Sequence, residues 1–275
     1  MKPEAKKLSR VLDRRSRDLR RGILRTVDKG RRGHIASAFS LVEILRVLYD
    51  HILRYDPKRL DWPERDRFIL SKGHGCLALY VLLAEKGFFP ERELDLFCTM
   101  EGILGGHPEH RIPGVETSTG SLGHGLSIGT GFALNARLEK RKSRVFVVVG
   151  DGELGEGSVW EAAMSAAKHG LDNLTVVVDH NKFQSYDSTQ AVTNLDPLAE
   201  KWTSFGFHTA EIDGHDIDEL ERIFRSCPLT RGKPTAVICH TVKGKGIGRI
   251  ENDLAWHHKS KITDQEMNWL ISELG

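Results

Sequence analysis

The chain alternates short apolar runs with longer stretches of helical periodicity. Residues 145–149 (VFVVV) and 174–178 (LTVVV) are apolar runs of strand length, and residues 66–70 (DRFIL), 207–212 and 235–240 (TAVICH) read as further strands. Helical segments fall between and after them: 76–86, a small-residue helix ending near Leu138, 196–205 with Pro197 in its first turn, 216–226, and a last helix from about Thr263. After the run at 145–149, Trp160, Ala163, Met164 and Ala167 are spaced for one buried helix face. Near the N-terminus, Leu8, Val11, Leu12, Leu19 and Ile23 mark an amphipathic helix. Residues 41–53 predict a second, with Ser40 as N-cap and Glu43 completing a capping box. This alternation predicts an α/β fold: one domain with a mainly parallel sheet and helices on both faces.

Composition narrows the class. A chain of 275 residues, 39% hydrophobic and 28% charged, can bury a sizeable core and reads as a soluble enzyme. Its net charge of +2 selects no partner. The arginine-rich stretch 14–25 is interrupted by Asp18 and reads as the wet face of the first helix, so neither nucleic acid nor membrane is expected as a partner. There is no run of 18 apolar residues and no apolar segment after the basic start, which argues against a span or a secretory signal. The four cysteines lack CxxC spacing, and Cys76 and Cys239 fall in apolar segments, as suits a reducing cytoplasm.

The chemistry gathers where strands end. The run at 145–149 stops on Gly150-Asp151-Gly152 and the run at 174–178 on Asp179-His180-Asn181. In a βαβ unit these strands are parallel, which puts Asp151 and Asn181 at the carboxyl edge where open α/β sheets bind ligands. One carboxylate and one amide oxygen form part of a Mg²⁺ shell, which phosphate and water oxygens complete. Gly150 and Gly152 let backbone approach a phosphate, and the helix that follows offers free N–H groups. By itself GDG is equally an ordinary turn leading into a core helix. Similar glycine-rich exits recur at Ser71-Lys72-Gly73-His74-Gly75 and at residues 241–246 (TVKGKG), and the glycines of residues 118–125 (STGSLGHG) at a helix start imply close approach of another chain or a ligand. His34, His74, His107 and His257 also lie in turn segments. Singly each reads as structural or solvated; together they could bind sugar hydroxyls and move protons. None has the spacing of a helical zinc pair.

GDGELGEG followed by DHN resembles the thiamine diphosphate motif of the transketolase family. GHIASAFS, SKGHGCLALY, GGHPE and AWHHK are similar to that family's histidine motifs, in the family's order, from about residue 15 onwards. The resemblance implies a three-layer αβα thiamine diphosphate (ThDP) fold. It places Mg²⁺, with Ca²⁺ or Mn²⁺ as substitutes, on Asp151, the Asn181 side chain and the Phe183 carbonyl. Gly150, Gly152 and Glu153 would border the cofactor, His74 and His257 its diphosphate, and Gly120 and Leu122 its aminopyrimidine. His34 and His107 would also face a donor ketose. Glu156 would act as a relay at a subunit interface. The implied reaction moves a two-carbon ketol unit from a ketose or ketose phosphate to an aldose.

The family's pyrimidine-binding and C-terminal domains have no counterpart within residues 1–275. The expectation is therefore the N-terminal, diphosphate-binding subunit of a split transketolase, completed by a C-terminal subunit in a heterotetramer of two pairs. Three departures bear on substrate choice: His124 replaces a glutamine, Ala36 a glycine, and Ser185-Tyr186-Asp187 an apolar residue followed by Asp-Gly. The rivals are another ThDP carboligase, a 2-oxo acid dehydrogenase subunit, which would lack the histidine set, and a non-catalytic cofactor-binding subunit. The glycines at 123, 125, 129 and 131 miss the GxGxxG spacing of a dinucleotide site.

Overall fold

A computed structural model describes residues 12–257, 259 and 261–274. Five strands form one parallel sheet: β1 (Arg67–Leu70), β2 (Val145–Gly150), β3 (Leu174–His180), β6 (His208–Asp213) and β7 (Thr235–His240), in the order β1-β2-β3-β7-β6. A small antiparallel hairpin, β4 (Phe183–Gln184) and β5 (Asp187–Ser188), follows β3. The central strands β2 and β3 are buried along their whole length and valine-rich because both their faces are covered. Phe146, Val148 and Val177 face one core with α1 (Arg14–Gly30), α3 (Val42–Val47), α4 (Cys76–Glu85), α10 (Ile217–Arg225) and α11 (Asp264–Glu273). Val147, Val149, Val176 and Val178 face the other, with α6 (His124–Leu138), α7 (Gly157–Lys168) and α9 (Leu198–Ser204). Shorter helices are α2 (Ile35–Phe39), α5 (Arg92–Asp95) and α8 (Thr189–Val192). The three-layer αβα architecture is thus the one expected. No helix among the described residues is long and apolar enough to cross a membrane.

Three local expectations are corrected. On α7 the buried face is Val159, Ala162, Ala163 and Ala166, while Met164 is 55% exposed and Trp160 and Ala167 are half-buried. The small side chains lie inward because α6 and α7 pack closely on the sheet; a Cβ on Gly129 of α6 would come within 2.4 Å of Val147. Trp160 instead caps the rim, stacking on Trp202 and Phe205 and donating to the Leu154 carbonyl at 2.8 Å.

Ser40 does not cap a helix through Glu43. Its hydroxyl donates to Asp179 at 2.7 Å and to the Ser37 carbonyl, and Leu41 precedes α3, which runs on into a π-type turn over Leu48–Ile52. Glu43 turns into the protein to meet Arg20. Arg20 is therefore fully buried, not part of a wet basic face. Leu19 and Ile23 are buried as their spacing predicts, whereas Leu8 and Val11 lie outside the described residues. Asp13 caps α1, its carboxylate accepting from Ser16 N–H at 2.7 Å. The last helix begins where expected, and a capping box between Thr263 and Glu266 closes its first turn. All four cysteines are free, with Cys76 and Cys239 buried.

Candidate cofactor site

Parallel pairing of β2 and β3 sets Gly150 opposite Asp179, so Asp151 and Asn181 emerge side by side at the carboxyl edge. The Asp151 carboxylate accepts from Gly152 N–H at 2.8 Å and from Lys182 N–H. The Asn181 amide is oriented from both ends: its nitrogen donates to Asp179 at 3.1 Å and its oxygen accepts from Phe183 N–H at 3.2 Å. Asp151, Asn181 and Phe183 border a pocket of about 160 Å³. His74, Leu122, Gly150 and Gly152 also line it, as do Glu153, Glu156 and His257.

Three of the expected residues lie beside the pocket. The rings of His34 and His74 meet edge-on, 5.9 Å between centroids. His107 is exposed, and its ring crosses Gly120 (φ +133°), where a Cβ would stand 2.9 Å away; Gly120 in turn abuts Gly73. His34, His74, Gly120 and His107 thus form one continuous rim, while His257 is buried near the Phe183 ring. Both Glu153 oxygens are engaged, by Gly123 N–H at 2.9 Å, Gly150 N–H at 3.1 Å and the Ser71 hydroxyl. That carboxylate ties the ends of β1 and β2 to the start of α6. Glu156 is exposed and its stem packs over Gly123, whose φ of +84° and close contact both favour glycine.

The sequence motifs contain Lys72, Asp179 and Lys243 but do not mark them as site residues. Lys72 and Lys243 are each 1% exposed, and both face the pocket. Lys72 pairs with the fully buried Asp179, which also accepts from Ser40 and Thr241. Burial pushes the Asp179 carboxyl up, but the Lys72 ammonium and these hydrogen bonds outweigh it and hold the group down at about 2. At Asp151 the balance reverses: burial and the neighbouring Asp179 charge outweigh the N–H groups of Lys182 and Gly152 and the Lys72 charge, and raise it to about 7. Burial and Lys72 together lower Lys243 to about 7, and burial with Lys72 and Lys243 pushes His74 well below 6.5. The usable signal is position, because Asp179 lies at the carboxyl end of β3 and Lys72 and Lys243 follow β1 and β7.

Among the departures, Ser185 lines the pocket at the tip of the β4–β5 hairpin with φ +50°, and Tyr186 beside it is 81% exposed. His124 is exposed and its ring nitrogen lies 3.1 Å from the Leu122 carbonyl. Ala36 is buried, and its carbonyl accepts from Gly244 N–H at 3.1 Å.

The donor set fits a metal-bound diphosphate. One wall offers oxygen ligands around a carboxylate that burial makes costly to ionise, so a divalent cation would relieve it. The same pocket is lined by the buried Lys243, whose charged form burial makes costly and which an anion would relieve, beside Lys72 already paired with Asp179.

Comparison with known proteins agrees with that chemistry. The family model described as "Transketolase, thiamine diphosphate binding domain" matches residues 14–275. The chain is 45% identical over 247 residues to a subunit of the apulose-4-phosphate transketolase of Actinobacillus succinogenes, covering 88% of this chain and 87% of that one. It is 40% identical over 243 residues to the 6-deoxy-6-sulfo-D-fructose transketolase subunit SqwG of a Clostridium species, covering 88% of each. The solved transketolase of Leishmania mexicana superposes with a TM-score of 0.87 at 28% identity, over 94% of this chain and 40% of that one. The chain therefore spans about two-fifths of the solved transketolase it matches. Sequence, sheet topology and pocket chemistry converge: the chain belongs to the transketolase family and represents its thiamine diphosphate binding domain.

Proposed function

We propose that this chain is the cofactor-binding subunit of a two-chain, ThDP- and Mg²⁺-dependent transketolase that moves a two-carbon ketol unit from an anionic ketose to an aldose. The observation that carries the proposal is that one pocket is lined by the oxygen-bearing Asp151 and Asn181 together with the buried Lys72 and Lys243. Asp151, Asn181 and the Phe183 carbonyl would supply three metal ligands, with diphosphate oxygens and water completing the shell. Lys243, His74 and His257 would hold the diphosphate, and Gly150 and Gly152 let the backbone come close to it. Bound ThDP supplies the carbon nucleophile and electron sink that make and break the carbon–carbon bond.

The rim formed by His34, His74 and His107 would orient the donor's hydroxyls and carry protons to and from them. His74, held neutral by its surroundings, can both donate and accept there. Asp179 and Glu153 would fix the Asn181 amide and the glycine loops. Glu156 stands at the open edge, placed to meet another chain.

Two relatives of similar length are each named as one subunit of an apulose-4-phosphate transketolase, which supports a separate partner subunit; the proposal gives that C-terminal subunit the pyrimidine-binding domain and joins two such pairs. The substrates in the relatives' names, apulose-4-phosphate and 6-deoxy-6-sulfo-D-fructose, each carry an anionic group, which supports an anionic sugar here. Four free cysteines, with Cys76, Cys227 and Cys239 buried, suit a cytoplasmic setting.

A ketol-transfer assay with ThDP and Mg²⁺ tests the proposal, using this chain alone and then mixed with its partner subunit. Transfer only in the mixture, lost with Asp151→Ala, is the expected result. Full transfer by this chain alone would refute the two-chain reading.

A further inference from the structure

Behind the pocket lies a second cluster of buried charge that the cofactor chemistry does not use. Arg20 forks onto Glu43, with nitrogen–oxygen distances of 2.6 and 2.9 Å, and its remaining N–H groups donate to the carbonyls of Lys245 at 2.7 Å, Phe39 at 2.8 Å and Ser16 at 3.2 Å. His215, from the turn between β6 and α10, lies 2.8 Å from Glu43 through Nδ1. Its Nε2 accepts from Val242 N–H at 2.8 Å. A backbone N–H can only donate, so Nε2 carries no proton, and the neutral ring donates from Nδ1 to the carboxylate. All three side chains are buried.

Val242 immediately precedes Lys243. The same loop is gripped on its other side, where Arg20 holds the Lys245 carbonyl and Gly244 N–H donates to Ala36 of α2. Arg20 also holds Phe39 at the end of α2, the helix that His34 precedes. One saturated hydrogen-bonded unit thus fixes both the loop that presents Lys243 and the short helix behind His34.

We propose that His215 is a positioning residue. Through the chain Arg20–Glu43–His215 it supplies the acceptor that fixes Val242, and so it aims the Lys243 ammonium into the cofactor pocket. The effect on cofactor binding rests on the proposed function, in which Lys243 meets the diphosphate; the effect on the loop does not. Outer groups that orient ligand-bearing residues typically change affinity about 10- to 100-fold when removed.

The test uses the full chain with two readouts: amide hydrogen exchange at Val242 and Gly244, and calorimetric titration with ThDP in the presence of Mg²⁺. In His215→Leu, exchange at both amides accelerates and ThDP binding weakens by about tenfold. His215→Gln, whose amide can accept from Val242 while donating to Glu43, restores both. In a Lys243→Met background, His215→Leu costs less than about twofold more, because its effect passes through the lysine. Unchanged amide exchange in His215→Leu, or an equal loss of affinity with and without Lys243, would overturn the proposal. If Lys243→Met alone leaves ThDP binding intact, the diphosphate reading of Lys243 fails, and the exchange data still decide the role of His215. Should His215→Leu fail to fold, His215→Asn, too short to reach Val242, takes its place.

Discussion

Two regions bury charge within a few residues of each other, and they differ in how that charge is met. In the cluster of Arg20, Glu43 and His215, every group has a matched partner, and Arg20 and His215 outweigh burial to hold the Glu43 carboxyl well below the usual carboxylate range. In the pocket, Asp179 is likewise satisfied by Lys72, Ser40 and Thr241. Asp151 and Lys243 are not: burial drives the acid up and the base down until both lie near 7. Saturated charge specifies the fold. Under-compensated charge, facing a pocket, is set up for a ligand that brings opposite charges of its own.

That contrast can be broken at either end. Truncating the saturated cluster should cost most. Glu43→Ala strands a buried guanidinium and an imidazole, so urea denaturation should show a loss of about 3–5 kcal/mol. A loss below about 1 kcal/mol would mean that water or rearrangement satisfies Arg20.

Asp151→Asn should separate function from stability. ThDP affinity in Mg²⁺ should fall about 100-fold, or about 2.7 kcal/mol, when a charged metal ligand becomes neutral. The cofactor-free protein, meanwhile, should gain about 1 kcal/mol and melt a few degrees higher. The sign follows from linkage. A carboxyl raised from 3.8 to about 7 on folding binds more protons folded than unfolded, so its cost grows as pH rises through that window. The difference between Asp151→Asn and the parent chain should therefore be largest above pH 7 without metal and vanish below pH 4. A mutant less stable than the parent at pH 8 would contradict the under-compensation.

His180 sharpens the comparison from the opposite side of the sheet edge. Burial and the neighbouring His240 hold its ring at about 4, below the ordinary 6.5. The unfolded chain then binds more protons between those values, so stability is complete above pH 6.5 and is lost as pH falls towards 4, by about 1–3 kcal/mol. His180→Gln should flatten that limb of the pH–stability curve. The smallest effect is expected at Ser185, whose side chain alone would change at the pocket wall. Ser185→Ala, which avoids a β-branched side chain at φ +50°, should shift donor KM by about two- to fivefold with kcat retained. Unchanged donor preference and unchanged ThDP affinity would remove the hydroxyl from any role in substrate choice.

The sheet and its pocket-bearing edge are legible in the sequence because their signals are local. VFVVV-GDG and LTVVV-DHN each announce a fully buried strand and its exit within about ten residues. The glycine-rich turns likewise mark close approaches, as at Gly120 and Gly123. What escapes is non-local. Lys72 meets Asp179 across 107 positions of sequence and Glu43 meets His215 across 172, and no period or spacing encodes either pair. The α7 face is ambiguous in sequence because alanines fit two overlapping helical stripes, and only packing against α6 and the sheet chooses between them. Ser40 and Glu43 match a capping pattern, yet both side chains gain more from buried partners elsewhere.

The most direct test is calorimetric titration of ThDP into the full chain at pH 7.5, with Mg²⁺ and then with the metal chelated. Binding that requires Mg²⁺, and that Asp151→Asn weakens about 100-fold, is the predicted result. Equal affinity with and without metal, unaffected by Asp151→Asn, would show that the acid at the end of β2 does not hold the cofactor.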